Sequence, residues 1–231
     1  MQPSTGHTVK AFDADVDELR ALISQMGGLA EQAIRESMRC LMQRDRDGAR
    51  AVVEEDRTLD ALDAEAERKV MKLIALRAPM ADDLREAVAV LKIAGVLERI
   101  GDYAKNIAKR AAALEGAGRT EPRSLLPEMA RVVAEMVHNV LDAFVARDAA
   151  KALQVWERDA VVDDFYNSIF RSLLTFMMES PQNITESAHL LFVARNLERI
   201  GDHATNIAEM VFFAATGERL VDRPRGASPS E

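Results

Sequence analysis

The sequence predicts an all-α fold of two tandem three-helix bundles that arose by internal duplication. The first observation behind this is a stretch that occurs twice. Residues 97–108 read Leu-Glu-Arg-Ile-Gly-Asp-Tyr-Ala-Lys-Asn-Ile-Ala, and residues 197–208 read Leu-Glu-Arg-Ile-Gly-Asp-His-Ala-Thr-Asn-Ile-Ala. They are identical at ten of twelve positions, 100 residues apart. A period that long marks two domain-sized halves, not a short-repeat solenoid. The second observation is periodicity: Leu97, Ile100, Ala104 and Ile107 fall at i, i+3, i+7 and i+10, one apolar stripe of a helix. The third is composition. Aromatics make up only 5% of the 231 residues while Ala and Leu are abundant, which favours helices over strands.

The elements follow in order. Residues 1–8 carry Pro, Ser, Thr and Gly without periodicity and are expected to be a flexible N-terminus. The first bundle is expected over 9–115. Asp13 or Asp15 is placed to cap a helix running to about Arg44, with Val16, Leu19, Ile23, Met26, Ala30, Ala33, Ile34 and Leu41 at helical spacing. Asp45-Arg46-Asp47-Gly48 reads as a turn. A second helix follows to Arg77, with Val52, Leu59, Leu62, Ala66, Val70 and Leu73 as its core stripe and Asp56, Asp60, Asp63 and Glu67 along its flank. Pro79 ends it. A third helix opens at Asp82 or Asp83, carries the first copy of the motif and ends near Gly116.

Residues 116–126, with Gly, Pro, Ser and Thr, read as the linker. The second bundle is expected over 127–217. Its first helix starts at Pro127, which suits the first helical position, and runs to Arg147. Its second runs from about Asp148 to Glu179, before Pro181. Its third runs from about Thr185 to Thr216 and carries the second copy. Residues 218–231, with two Pro, two Ser and a Gly, read as a disordered tail. The halves also match outside the motif: Glu54-x-Asp56-x-x-x-Asp60 recurs as Glu157-x-Asp159-x-x-x-Asp163, offset by 103. Short turns make consecutive helices antiparallel neighbours.

The candidate chemistry lies in the polar stripe of the motif. Glu98, Asp102 and Asn106 are spaced by four and stack on a face roughly opposite the apolar stripe. Glu198, Asp202 and Asn206 repeat the arrangement. Antiparallel packing brings Asp56 and Asp60 toward Glu98 and Asp102, and Asp159 and Asp163 toward Glu198 and Asp202. Carboxylates gathered in this way repel one another unless a cation compensates, and hard cations prefer such oxygen donors. Magnesium, manganese, iron and calcium are candidates, with Asn106, Asn206 and His203 as possible further ligands or supporting groups. The alternative is a solvated helix face, with Arg99 and Arg199 simply pairing with Asp102 and Asp202. Gly101 and Gly201 are costly inside helices and imply close approach of either a packed helix or a bound group. His203 is either a support for the ligands or a plain surface histidine.

Other patterns point elsewhere. Glu135-x-x-His138 and Glu186-x-x-His189 have the spacing of di-iron bundles, which would make the chain an oxidase or a metal-storage protein. Against that, Ala89 and Arg35 stand at the matching first-half positions. His189 also lies thirteen residues, about 20 Å, before Asp202. No phosphate-binding loop, nucleophile elbow or Ser/His/Asp arrangement is present, so the motifs give no positive sign of catalysis. The net charge of −8 and a pI near 5.2 argue against bulk nucleic-acid binding. A lone Cys40 excludes an intrachain disulfide and suits a reducing compartment. No apolar run of 18 residues and no signal peptide are seen, which predicts a cytoplasmic protein whose membrane association would come only through partners.

The duplicated motif resembles that of the PhoU family, as do Leu76-Arg77-Ala78-Pro79-Met80-Ala81-Asp82-Asp83-Leu84-Arg85 and His7-Thr8-Val9-Lys10-Ala11-Phe12-Asp13. The resemblance covers residues 7–217. It implies two three-helix bundles with pseudo-twofold symmetry, a homodimer, and metal clusters, of iron or zinc in some members, held by Asp56, Asp60, Glu98 and Asp102 in one half and Asp159, Asp163, Glu198 and Asp202 in the other. It implies a non-enzymatic negative regulator of the phosphate-starvation response, which links the ATPase subunit of a phosphate ABC transporter to a sensor histidine kinase.

Overall fold

A computed structural model describes residues 5–114 and 124–220, with side chains from residue 12 onward. Seven α-helices make up the described chain: α1 Thr5–Gln43, α2 Arg46–Arg77, α3 Asp82–Ala113, α4 Leu126–Ala146, α5 Ala149–Glu157, α6 Asp159–Glu179 and α7 Ile184–Thr216. A 3-10 turn at Pro181–Asn183 precedes α7, and no strand occurs among the described residues. α1–α3 form the first three-helix bundle; α4, the α5–α6 pair and α7 form the second.

Three boundaries differ from the sequence reading. α1 already begins at Thr5, so residues 5–8 are helical, and neither Asp13 nor Asp15 caps it. Asp15 instead accepts a hydrogen bond from Arg77 Nε at 3.0 Å. The first turn lies one residue earlier than expected: Arg44 takes the left-handed conformation (φ 57°), Asp45 caps α2 by accepting from Gly48 N at 2.9 Å, and Gly48 is helical. The corner between α4 and α5 repeats this device, with Arg147 left-handed (φ 51°) and Asp148 capping Lys151 N at 2.9 Å. The expected helix from Asp148 to Glu179 is interrupted at Arg158. There the backbone tightens to i→i+3 bonding, and Arg158 Nη2 reaches Glu135 on α4 at 2.7 Å. The expected linker at 116–126 falls largely, and the tail at 218–231 mostly, outside the described residues.

The apolar stripes become the core as the periodicity demands. Leu97, Ile100, Ile107, Leu197, Ile200 and Ile207 are fully buried, as are Ile23, Met26 and Ile34 on α1 and Met129 and Met136 on α4. The halves share this core, because α3 packs along α7 and α1 along α4. Tyr103 meets His203, and Arg110 lies over the Phe192 ring 4.7 Å from its centroid, so α3 and α7 run antiparallel. Buried Glu86 on α3 is held by Arg20 on α1 at 2.6 Å and by Arg147 from the other half. No helix among the described residues is long and apolar enough to cross a membrane.

Candidate metal centre

The glycine of the motif brings a carboxylate of the neighbouring helix against the backbone. A Cβ on Gly101 would stand 2.5 Å from Leu59 Cδ1 and 3.4 Å from Asp56 Oδ1. A Cβ on Gly201 would stand 3.1 Å from Val162 Cγ1 and 3.5 Å from Asp159 Oδ1. Close helix packing therefore accounts for both glycines. It also seats Asp56 and Asp159 in the same position in each half, and both are buried.

In the first half, Asp56 from α2 and Glu98 and Asp102 from α3 come together, with Asp60 exposed at the edge. Burial raises the pKa of Glu98, and the charges of Asp102, Asp60, Asp63 and Asp56 raise it further. Asp63, one turn along α2 from Asp60, is itself raised by burial, then by Glu67 and Asp60. Lys105 lies among these groups: its ammonium hydrogen-bonds to Asp56 and Asp102 and so spans α2 and α3. Burial disfavours the ammonium, but the hydrogen bonds to Asp102 and Asp56 win and raise its pKa.

The second half repeats the carboxylates with different cations. Glu198 is pushed up to about 7 by burial and by Asp202, with Arg195 and Arg199 opposing and Asp163 adding to the rise. Its Oε1 accepts from Arg195 Nη1 at 2.6 Å. Its Oε2 is buried without a hydrogen bond, with Arg199 Nε 3.9 Å away. Arg199 also pairs with Asp202 at 3.4 Å. Thr205 occupies the position matching Lys105 and donates to the Asp202 carbonyl at 2.7 Å.

The expected carboxylates thus face one another in each half, with Asp60 and Asp163 at the exposed rim. Asn106 and Asn206 are exposed. As the side chains stand, no three of His, Cys, Asp and Glu among the described residues are gathered tightly enough to hold an ion. The exposed and half-exposed carboxylates can rotate, and the orphaned Glu198 oxygen is the donor that a hard cation seeks. The second half therefore offers the oxygen donors that a hard cation takes, without a preformed ligand cluster among the described residues.

His203 is not a plain surface histidine. It is half-buried and stacks on Tyr103, with centroids 5.4 Å apart and planes 29° apart. Burial, with Arg99 and Arg199, lowers its pKa against the pull of Asp202. The first of the two di-iron spacings is occupied by ion pairs: Glu135 is held by Arg131 and Arg158, and His138 Nδ1 lies 3.1 Å from Glu31 Oε1. Lys105 was missed in the sequence, although positions 103 and 105 are the two at which the motif copies differ.

Comparison with known proteins agrees with the duplication. The PhoU domain matches twice, at residues 23–111 and 126–211. A phosphate-specific transport system accessory protein PhoU homolog from Zymomonas mobilis is 56% identical over 96% of this chain and 93% of that protein. One from Caulobacter vibrioides is 50% identical over 96% and 97%. The crystal structure of PhoU from Pseudomonas aeruginosa superposes with a TM-score of 0.86 at 35% identity, over 90% of this chain and 100% of that one. A PhoU described as a phosphate transport system regulatory protein, from Streptococcus pneumoniae, gives 0.84 at 25% identity, over 91% and 99%. With both halves matched and relatives at half identity over nearly their whole length, the chain belongs to the PhoU family.

Proposed function

We propose that the chain is a cytoplasmic, non-enzymatic regulator of phosphate uptake that restrains the phosphate-starvation response when phosphate is plentiful. It acts as a homodimeric adaptor between the ATPase subunit of a phosphate ABC transporter and a sensor histidine kinase. The names of its full-length relatives, as accessory proteins of a phosphate-specific transport system, support the transporter side. The observation that carries a role for metal is the second-half site, where half-buried Glu198 keeps one buried oxygen without a hydrogen bond and lies near the charges of Asp202 and Asp163. Glu198, Asp202, Asp163 and Asp159 would hold iron, zinc, manganese or magnesium. A cation there turns an acidic groove into one that accepts an anionic group from a partner.

Affinity purification from cells grown in high phosphate tests the adaptor role. The transporter ATPase subunit and the kinase should both be recovered with the wild-type chain. Recovery of neither from crosslinked cells overturns it.

A further inference from the structure

We propose that Lys105 is a built-in counter-ion that occupies the place of a cation in the first half, so that this half is complete without metal. The proposal rests on the reading above that these grouped carboxylates call for positive charge. Asp56 has a side chain only 6% exposed, and Lys105 is 20% exposed. A buried carboxylate is tolerated when it is paired, and the same ammonium also hydrogen-bonds to Asp102 across the helix pair. It therefore bridges a carboxylate of α2 and one of α3, the two helices that a metal ion would join. The motif copies are otherwise the same here, apart from the aromatic pair at 103 and 203. At position 205 the hydroxyl of Thr satisfies a backbone carbonyl of its own helix and carries no charge. The cations of the two duplicated sites therefore differ: Lys105 bridges the helices in the first half, whereas the second half has Thr205 there and Arg195, where the first half has Gly95, on Glu198. The groups facing the ammonium are Asp56 and Asp102, with Glu98 and Asp60 in the same electrostatic cluster.

The test uses the full chain, stripped with chelator, in the wild type and in Lys105→Thr, Lys105→Arg and Lys105→Thr/Asp56→Asn forms. Without metal, Lys105→Thr should melt about 5 °C lower, because a buried charge loses its partner. Lys105→Arg should retain most of the melting temperature, and the added Asp56→Asn change should restore it. An unchanged melting temperature for Lys105→Thr would overturn the proposal. Titration with Mn2+ alone, read by calorimetry and by melting, supplies the second arm. Asp102→Asn should leave the wild-type stoichiometry unchanged, while Lys105→Thr should add about one equivalent and regain its lost melting temperature. A fall in stoichiometry on Asp102→Asn would overturn the proposal. So would the absence of a gain in Lys105→Thr when the second half does bind. A wild-type chain that binds no cation in either half contradicts the metal role proposed above, and the melting comparison without metal then decides the role of Lys105 separately.

Discussion

Tyr103 and His203 stack on each other across the boundary between the halves, and they are the same position in the two copies of the motif. A residue can touch its own duplicate only where the pseudo-twofold axis passes between them. The axis therefore runs between α3 and α7, and each motif is buried against the other. This aromatic pair should be coupled energetically. A double-mutant cycle with Tyr103→Ala and His203→Ala, read by urea unfolding, should give an interaction of about 0.5–1.5 kcal/mol. Additive effects would mean that the rings only touch.

The two glycines should respond differently to Ala. At Gly101 the new methyl would overlap buried Leu59, whereas at Gly201 Val162 has to yield only a few tenths of an ångström. Overpacking costs about 1–3 kcal/mol, and the gain in helix propensity returns about 1 kcal/mol. Gly101→Ala should therefore destabilise the chain, and Gly201→Ala should be nearly neutral, as judged by urea midpoints.

The core stripe gives a simpler expectation. Leu97 and Ile200 are fully buried on α3 and α7. Leu97→Ala and Ile200→Ala should each cost about 2–5 kcal/mol in denaturant unfolding. A loss below 1 kcal/mol would show that the shared core is loose.

Asp45 supplies a pH dependence. Its carboxylate is held below the usual range by the Gly48 N–H and by Arg39, with burial opposing weakly. A depressed folded-state pKa contributes stability above the unfolded value, and that stability is lost as pH falls through the folded one. The melting temperature of wild type should therefore fall more steeply between about pH 5 and about pH 2 than that of Asp45→Asn, which keeps a capping oxygen but does not titrate. Parallel curves would show that the cap contributes nothing through its charge.

The helices and the faces they bury were legible because Leu, Ile and Val recur at helical spacing and Pro79, Pro127 and Pro181 punctuate them. The carboxylate grouping was legible too, because the Glu-x-x-x-Asp pairs repeat in both halves. The stripe is nevertheless not a free outer face: Glu98 and Glu198 are drawn into the groove beside the second helix of each bundle. The left-handed Arg44 and Arg147, the interruption at Arg158 and the bridge made by Lys105 could not be read from the sequence. The last two depend on what a neighbouring helix presents: Glu135 to Arg158, and Asp56 to Lys105. Lys105 next to Asp102 reads locally as an ordinary i, i+3 pair, and only the packing of α2 reveals the second carboxylate.

The central claim is that the second-half carboxylates serve signal reading and not turnover. It is tested most directly by reporter expression from a phosphate-starvation promoter in high phosphate, in cells whose only copy carries Glu198→Gln and Asp202→Asn. The account predicts loss of repression with the protein at its normal level on a blot, because the apolar stripe is untouched. Full repression by a variant shown to bind no metal would contradict it.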